Sequence, residues 1–251
     1  MTASAPLLEM DGHLATLTLN RPEQGNRLSD DDLDVLIRHC ATLDDSAARV
    51  VHIRALGRHF CAGYNFADLA SGGRGERFEA AMDALARLRP VTLAEVQGGV
   101  FGGASDLLLA CDFRVGSQAA RVSMPAARIG LHLYGGILRR YVTRLGLNAA
   151  KRMILNAEPL DAEQMFQIGL LTHAPCAEVE LEARSREIID NLLTLAPLAL
   201  EGMKRHLNSI AEGGLDRAQL QRDIDDCVVS RDFQEGLHAI NEKRRAVFEG
   251  C

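Results

Sequence analysis

The stretch Leu93–Phe113 reads LAEVQGGVFGGASDLLLACDF. Its start lies in an apolar run, Val91–Val96, that is typical of a buried strand. The run is followed by Gly102 and Gly103, which open an apolar helix carrying Asp106. The first N–H groups of a helix have no partner within the helix, and the helix dipole adds partial positive charge there. The sequence therefore predicts a strand–turn–helix unit in which the N–H of Gly103 can bind an oxyanion.

A second turn of small residues follows another apolar strand. Val50–Leu56 (VVHIRAL) is apolar on both faces, and Phe60–Tyr64 (FCAGY) leads from it into a short helical run, Phe66–Ala70. Two such turns can offer two main-chain N–H donors to one oxygen, which is the geometry of an oxyanion hole. Two ordinary tight turns are the structural alternative. Neither the Lys-Ser/Thr of a phosphate loop nor the G-x-G-x-x-G of a dinucleotide fold is present.

The composition limits the classes of protein that this chain can be. Its 251 residues are 47% hydrophobic, enough for a full core of one large domain or one and a half. The formal net charge of −6 argues against a general nucleic-acid surface. Six scattered cysteines without a C-x-x-C pair favour neither a disulfide framework nor a zinc site. No membrane span or secretory signal is recognisable, so we expect a cytoplasmic protein.

The remaining pattern alternates strands and helices, which favours parallel pairing and an α/β core. His13–Leu19 alternates like a strand, Ser29 can cap the helix that follows it, and Glu76–Leu88 has the apolar face of a helix. The loop Ser71–Gly75 (SGGRG) is either an active-site lid or an ordinary surface loop. From residue 177 onward the pattern is helical, with helices expected at about 177–195, 197–211, 215–229 and 232–248.

Motifs along nearly the whole chain share the pattern of one known family. They are Leu19-Asn20-Arg21-Pro22-Glu23 with Asn26, Phe60-Cys61-Ala62-Gly63, the stretch Leu93–Phe113, Leu160-Asp161-Ala162-Glu163 with Gly169-Leu170, and Asp232-Phe233-Gln234-Glu235-Gly236 with Glu242-Lys243-Arg244. In these motifs the chain resembles the crotonase superfamily, also called the enoyl-CoA hydratase/isomerase family. The resemblance implies an α/β fold with a crotonase-like spiral of repeated ββα units over residues 1–196, which holds the acyl-CoA site. It also implies a C-terminal α-helical trimerisation region over residues 197–251, and assembly as a homotrimer or a dimer of trimers.

The resemblance further implies the chemistry of the site. The substrate would be an acyl-CoA thioester that reacts through an enolate. The N–H groups of Tyr64 and Gly103 would hold the thioester oxygen. Main-chain groups near the early motif and the first turn would bind coenzyme A, which points to Gln24, Gly25 and Ala62. No metal and no cofactor is expected, since coenzyme A enters as part of the substrate.

Hydratases of the family use two acidic side chains. The first position corresponds to Asp106, and the second to Ala126, which cannot move a proton. His132 and Tyr134, in the loop that follows, are the candidates to compensate for the missing acid. Arg128 could hold an anionic group of the substrate.

The resemblance by itself makes a lyase that hydrates a 2-enoyl-CoA the default prediction. Three alternatives remain open because of Ala126. They are an isomerase of the same family, an acyl-CoA decarboxylase that orients a carboxylate through His132, Tyr134 or Arg128, and a non-catalytic acyl-CoA binding subunit.

Overall fold

The computed structural model describes residues 5–65, 67–68 and 75–251. Within these ranges, the predicted alternation of strands and helices builds a large sheet with the strand order β1-β2-β3-β4-β6. Strand β1 pairs antiparallel with β2, and the other neighbours pair parallel. The bounds are β1 (Leu7–Asp11), β2 (Leu14–Leu19), β3 (Val50–Ala55), β4 (Val91–Val96) and β6 (Phe113–Gly116).

A smaller sheet lies beside the large one and contains β5 (Gly99–Phe101), β7 (Arg121–Ser123) and β8 (Leu160–Asp161), in that order. Two isolated parallel bridges, Leu28 with Tyr64 and Cys61 with Val100, join further turns of the chain to this second layer. Each unit thus adds a strand to the large sheet, a short segment to the second layer and then a helix. This repeat confirms the predicted spiral of ββα units.

The helices of the described residues include those predicted after Ser29 and at about 76–88, 177–195, 197–211 and 215–229, together with others between residues 135 and 167. They are α1 (Asp30–Asp44), α2 (Glu76–Arg87), α3 (Ala104–Ala110), α4 (Gly135–Leu145), α5 (Leu147–Ile154), α6 (Ala162–Gln167), α7 (Leu181–Leu193), α8 (Pro197–Ala211), α9 (Arg217–Val229) and α10 (Arg231–Glu242). Ser29 caps α1 in a capping box with Asp32. Pro197 occupies the first turn of α8, where its missing N–H removes no helical hydrogen bond.

Strands β3 and β4 of the large sheet are buried on both faces, as is usual for parallel strands covered by helices, whereas the edge strand β1 is mostly exposed. Val51 and Ile53 of β3 belong to the main core, which is completed by residues of the helices α1 to α4. Val50 of the same strand faces the other way and packs in a second cluster with Leu181 and Ile189 of α7. Because successive side chains of β3 point to opposite faces of the sheet, this one strand contributes to both clusters.

The end of the chain differs from the prediction of one helix over 232–248. Helix α10 ends at Glu242, and Lys243 adopts a left-handed conformation with φ 55°. The carboxylate of Asp232 accepts hydrogen bonds from the N–H groups of Glu249 and Gly250 at 2.7 and 2.9 Å. The tail therefore folds back on the start of α10 instead of extending it.

Two predictions lie mostly outside the described residues, namely the helical run Phe66–Ala70 and the loop Ser71–Gly75. All six cysteines are free thiols. A search of the described helices found none that combines the length and apolarity needed to cross a membrane.

Candidate active site

The two small-residue turns meet in the second layer of the fold. Cys61 pairs with β5, because its N–H donates to the carbonyl of Gly99 at 3.2 Å and its carbonyl accepts the N–H of Phe101 at 3.0 Å. A Cβ atom placed on Gly63 would lie 2.4 Å from the carbonyl oxygen of Phe101 and 3.3 Å from the nitrogen of Gly103. The main chains of the two predicted oxyanion turns are therefore in direct contact.

The N–H groups of Tyr64 and Gly103 have no protein acceptor among the hydrogen bonds of the described residues. The bridge between Leu28 and Tyr64 explains this for the first group. Leu28 donates to the carbonyl of Gly63 and accepts from the N–H of Asn65, both at 2.8 Å, so the N–H of Tyr64 points away from it. Gly103 is the N-cap of α3, where N–H groups have no helical partner. Two main-chain donors from separate turns thus remain available to a ligand.

Asn26 holds the first turn in place from the early motif. Its buried side-chain amide donates to the carbonyls of Leu56 and His59 at 2.8 and 2.9 Å, and accepts the N–H of Arg21 at 2.8 Å. Its φ of 56° lies in the left-handed region that Asn tolerates better than most residues. The sequence motif contained Asn26 but did not indicate that it ties the end of β3 to the oxyanion turn.

Cys61, within the same turn, is an unsuitable nucleophile. Burial raises the pKa of its thiol to about 12. The thiol donates to the carbonyl of Asn26 at 3.0 Å. Because the thiolate is the reactive form, Cys61 is structural near neutral pH.

A cavity of about 410 Å³ opens beside the two turns. Its lining is mainly apolar and includes Ala62, Tyr64 and Gly103 together with Ala126, His132 and Tyr134. A second cavity of about 520 Å³ lies between α4 and α8 and includes neither oxyanion turn. A mainly apolar chamber with a few polar groups is the usual form of a small-molecule site, so the cavity at the two turns is the candidate active site.

Phe78 of α2 joins the two sides of this cavity. Its ring lies 5.6 Å from the Tyr64 ring and 6.3 Å from the Tyr134 ring, measured between centroids. A Cβ atom on Gly103 would lie 2.8 Å from the Phe78 ring, so only glycine fits against it without a shift. Tyr134 is therefore separated from the second oxyanion turn by a single aromatic ring.

The Tyr64 side chain belongs to the cavity wall. Its hydroxyl donates a hydrogen bond to Asp30 of α1. Burial raises the pKa of the phenol, and the hydrogen bond and charge of Asp30 raise it further. The phenol is therefore neutral and engaged on the side of α1, while the N–H of the same residue remains available.

Asp106 lies behind Tyr134 and is fully buried, at 0% exposure. Arg140 of α4 donates to both of its carboxylate oxygens, through Nε at 2.6 Å and Nη2 at 2.7 Å. The Tyr134 hydroxyl donates to the second of these oxygens at 2.5 Å. Burial and the charge of Asp106 raise the pKa of Tyr134. Arg140 was not among the predicted site residues, because Arg139-Arg140 has the composition of a solvated helix face.

The other candidate side chains lie at different depths. Ala126 is buried in the cavity wall. His132 is exposed at the rim, and its Nδ1 lies 2.7 Å from the carbonyl of Leu133. Arg128 donates to the carbonyl of Ala157 at 3.3 Å and is not part of the lining. No Asp or Glu lines the cavity in the described part of the chain, and a search of those residues found no cluster able to hold a metal ion.

The predicted coenzyme A contacts are grouped at the first turn. The N–H of Ala62 donates to the carbonyl of Gly25 at 2.8 Å, and Ala62 reaches the cavity. The side chain of the neighbouring Gln24 accepts the Nε of Arg27 at 3.0 Å. These residues are close enough to one another to form one binding surface, and their role stays a prediction.

Comparison with known proteins gives consistent matches. A family model described as enoyl-CoA hydratase/isomerase matches residues 9–251. The chain is 31% identical to the enoyl-CoA hydratase/isomerase YngF of Bacillus subtilis over 95% of each chain. It is 29% identical to the crotonyl-CoA hydratase of Syntrophomonas wolfei over 96% of each. The solved enoyl-CoA hydratase of Bacillus anthracis has the same fold, with a TM-score of 0.89 at 23% identity over 99% of this chain and all of that one.

Proposed function

Since this chain belongs to the enoyl-CoA hydratase/isomerase family, we propose that it adds water to a 2-enoyl-CoA thioester through an oxyanion-stabilised enolate. The observation that carries the proposal is a pair of N–H groups, on Tyr64 and Gly103, that have no acceptor among the described residues and lie beside a mainly apolar cavity. The names of the similar proteins, a crotonyl-CoA hydratase among them, agree with this reaction class.

The two amides act where negative charge develops. When the oxygen of water bonds to C3 of the enoyl group, the electrons of the double bond move toward the thioester oxygen. The water gives up one of its protons as this bond forms, and C2 takes up one proton in exchange, so that the elements of one water molecule have been added. Each preorganised donor of this kind is worth roughly 10²- to 10³-fold in rate, because the donor is already oriented when the charge appears.

The attacking water needs a polar group on the cavity wall. Ala126 supplies none, and His132 lies at the rim. Tyr134 is the group that both reaches the cavity and is connected to a buried charge, through its hydrogen bond to Asp106. We therefore place the water against the Tyr134 hydroxyl, with Asp106 acting through Tyr134. This chemistry requires no metal or redox cofactor, since the main chain supplies the polarisation.

A second candidate, decarboxylation, is favoured by Ala126 and by the lack of a carboxylate on the described lining. Loss of carbon dioxide from a 2-carboxyacyl thioester leaves an electron pair at C2, which the same two amides would stabilise. No general base is needed to form that enolate. A 2-carboxylate would nevertheless have to lie near Tyr134 and the buried anion of Asp106.

Two parallel incubations distinguish the candidates. The purified protein is mixed with crotonyl-CoA and, separately, with methylmalonyl-CoA, and the products are followed by mass. Gain of one water by crotonyl-CoA supports the proposal. Loss of carbon dioxide from methylmalonyl-CoA supports the second candidate. Binding of both thioesters without conversion of either would contradict both and would leave the non-catalytic binding subunit.

We also propose the assembly and location that the family suggests. Residues 197–251 would form the oligomerisation region of a homotrimer or a dimer of trimers, and the protein would be cytoplasmic. The assembly is supported by a row of exposed apolar side chains on one face of α10, at Phe233, Leu237 and Ile240. Light scattering coupled to gel filtration tests this, and a monomer at micromolar concentration would contradict it.

A further inference from the structure

Four side chains form a continuous chain of charged hydrogen bonds behind the cavity. Tyr134 donates to Asp106 at 2.5 Å, and Arg140 donates to both oxygens of Asp106 at 2.6 and 2.7 Å. The remaining arm of Arg140 donates to Asp83 of α2 at 2.6 Å. Arg140 is 5% exposed as a side chain and Asp106 is 0% exposed, so water competes little for these bonds. The guanidinium is therefore held on two sides by carboxylates.

The chemistry of each group determines which of these four side chains donates each hydrogen bond and which accepts it. A guanidinium has only donors and does not lose its proton in proteins. A carboxylate facing its planar fork is bound through both oxygens, which keeps it ionised and an acceptor. Tyr134 has one hydroxyl proton, and that proton is directed to Asp106. What the phenol oxygen can still offer to a molecule in the cavity is a lone pair.

We propose that Arg140 is a positioning residue that, through Asp106, orients the Tyr134 hydroxyl so that its oxygen accepts a hydrogen bond from the acyl group or the attacking water. The site then selects acyl groups that carry a donor at this point, such as the hydroxyl of a 3-hydroxyacyl thioester. It disfavours acyl groups that carry a carboxylate, whose lone pairs would face those of the phenol. This inference rests on the proposed function, since it names the atom that holds the added water.

Charged and titratable groups surround Asp106 from two helices. Arg140 faces it from α4, and Tyr134 from the start of that helix. Asp83 and Glu79 of α2 lie beyond these two groups, bonded to Arg140 and to the N–H of Gly136. Tyr141 also senses the charge of Asp106, and its hydroxyl donates to Ser105 at 2.7 Å. Arg140 is thus the group that directly neutralises Asp106.

A binding measurement alone tests whether the oxygen of the Tyr134 hydroxyl accepts a hydrogen bond from the acyl group. Isothermal titration compares 3-hydroxy-2,2-dimethylbutyryl-CoA, which cannot lose water because C2 carries no hydrogen, with 2,2-dimethylbutyryl-CoA, on the unsubstituted protein and on Tyr134→Phe. The expected result is a roughly two- to tenfold preference for the hydroxylated thioester, the size of one net hydrogen bond, that disappears in Tyr134→Phe. An equal preference in both proteins, or none in the unsubstituted protein, overturns the inference.

Kinetics tests the role of Arg140. The variants are Arg140→Gln and Arg140→Lys, with Arg139→Gln as the matched control because Arg139 contacts Asp83 from the outer side, at 3.6 Å. In Arg140→Gln, Asp106 loses the fork that holds both of its oxygens, so kcat for crotonyl-CoA hydration should fall while KM changes little. Arg140→Lys should recover part of this kcat, and Arg139→Gln should match the unsubstituted protein.

An unchanged kcat in folded Arg140→Gln, or a loss in KM alone, overturns the positioning role. If Arg140→Gln does not fold, the kcat of Arg140→Lys and the binding preference lost in Tyr134→Phe decide instead. The binding arm needs no turnover. A protein that converts no thioester yet shows the Tyr134-dependent preference would therefore contradict the proposed function and retain this inference. A protein that hydrates crotonyl-CoA but lacks this preference would contradict the inference and retain the proposed function.

Discussion

Replacing Gly63 with alanine should separate the two oxyanion turns. Gly63 has a φ of 88°, which L-residues rarely adopt, and its missing Cβ leaves room for the carbonyl of Phe101. The new Cβ would lie 2.4 Å from that oxygen, about 1 Å closer than an ordinary contact beginning at 3.4 Å. Because the clash is with main chain, no side-chain rotation can relieve it. The turn carrying the N–H of Tyr64 must move away from the turn carrying Gly103.

The expected cost follows from these distances. The left-handed conformation costs alanine about 1–2 kcal/mol of stability. A displacement of about 1 Å is enough to remove one oxyanion donor from the thioester oxygen, which costs roughly 10²- to 10³-fold in kcat. The loss should appear mainly in kcat, since the donor acts on charge that develops during the reaction.

The assay compares Gly63→Ala with Gly213→Ala. Gly213 has a φ of 87°, but an added Cβ there would meet no atom within 4 Å, so this control carries the strain without the clash. Both variants should unfold at a lower temperature, and only Gly63→Ala should lose activity. A folded Gly63→Ala enzyme with kcat within a few-fold of the control would refute the reasoning.

Three further predictions concern two side chains at the site and one pair in the large sheet. Tyr64→Phe should leave kcat almost unchanged, since the hydroxyl faces Asp30 and the proposed donor is the N–H; a 10²-fold loss would contradict this. Asn26→Ala removes three hydrogen bonds and should lower the free energy of unfolding in urea by about 3 kcal/mol, whereas a change under about 1 kcal/mol would count against its anchoring role. Burial raises the pKa of Glu95, but the hydrogen bond and charge of His52, together with Ser185 and Arg54, lower the pKa overall. The stabilisation is thus present above the unfolded value and lost as the pH falls, so His52→Gln should flatten the acid decline of Tm, and an unchanged decline would argue against the pair.

Much of the fold could be predicted because its signals are local. The apolar run Val91–Val96 forms β4 with the same bounds, and Pro197 opens α8 where the pattern placed it. The predicted helix over 232–248 was wrong beyond Glu242. Its end depends on the carboxylate of Asp232, which binds the main chain of the last residues. The helical spacing of apolar residues in the sequence does not predict that the tail folds back on the start of its own helix.

The candidate site was predictable only in part. Glycine turns and the resemblance pointed to the N–H groups of Tyr64 and Gly103, and the structure brings their turns together. The pairing of Asp106 with Arg140 joins residues 34 positions apart, through the packing of α3 against α4. Neither residue carries a local signal of that pairing. The sequence could therefore name Asp106 as an acid, but it could not indicate that both of its oxygens are already bonded.

The central claim is that two main-chain amides share one thioester oxygen. A crystal structure of the protein with bound butyryl-CoA tests it most directly. The account predicts the thioester oxygen at about 2.7–3.1 Å from the nitrogens of both Tyr64 and Gly103. A well-ordered thioester whose oxygen contacts only one of these amides, or is turned toward Tyr134, would contradict it.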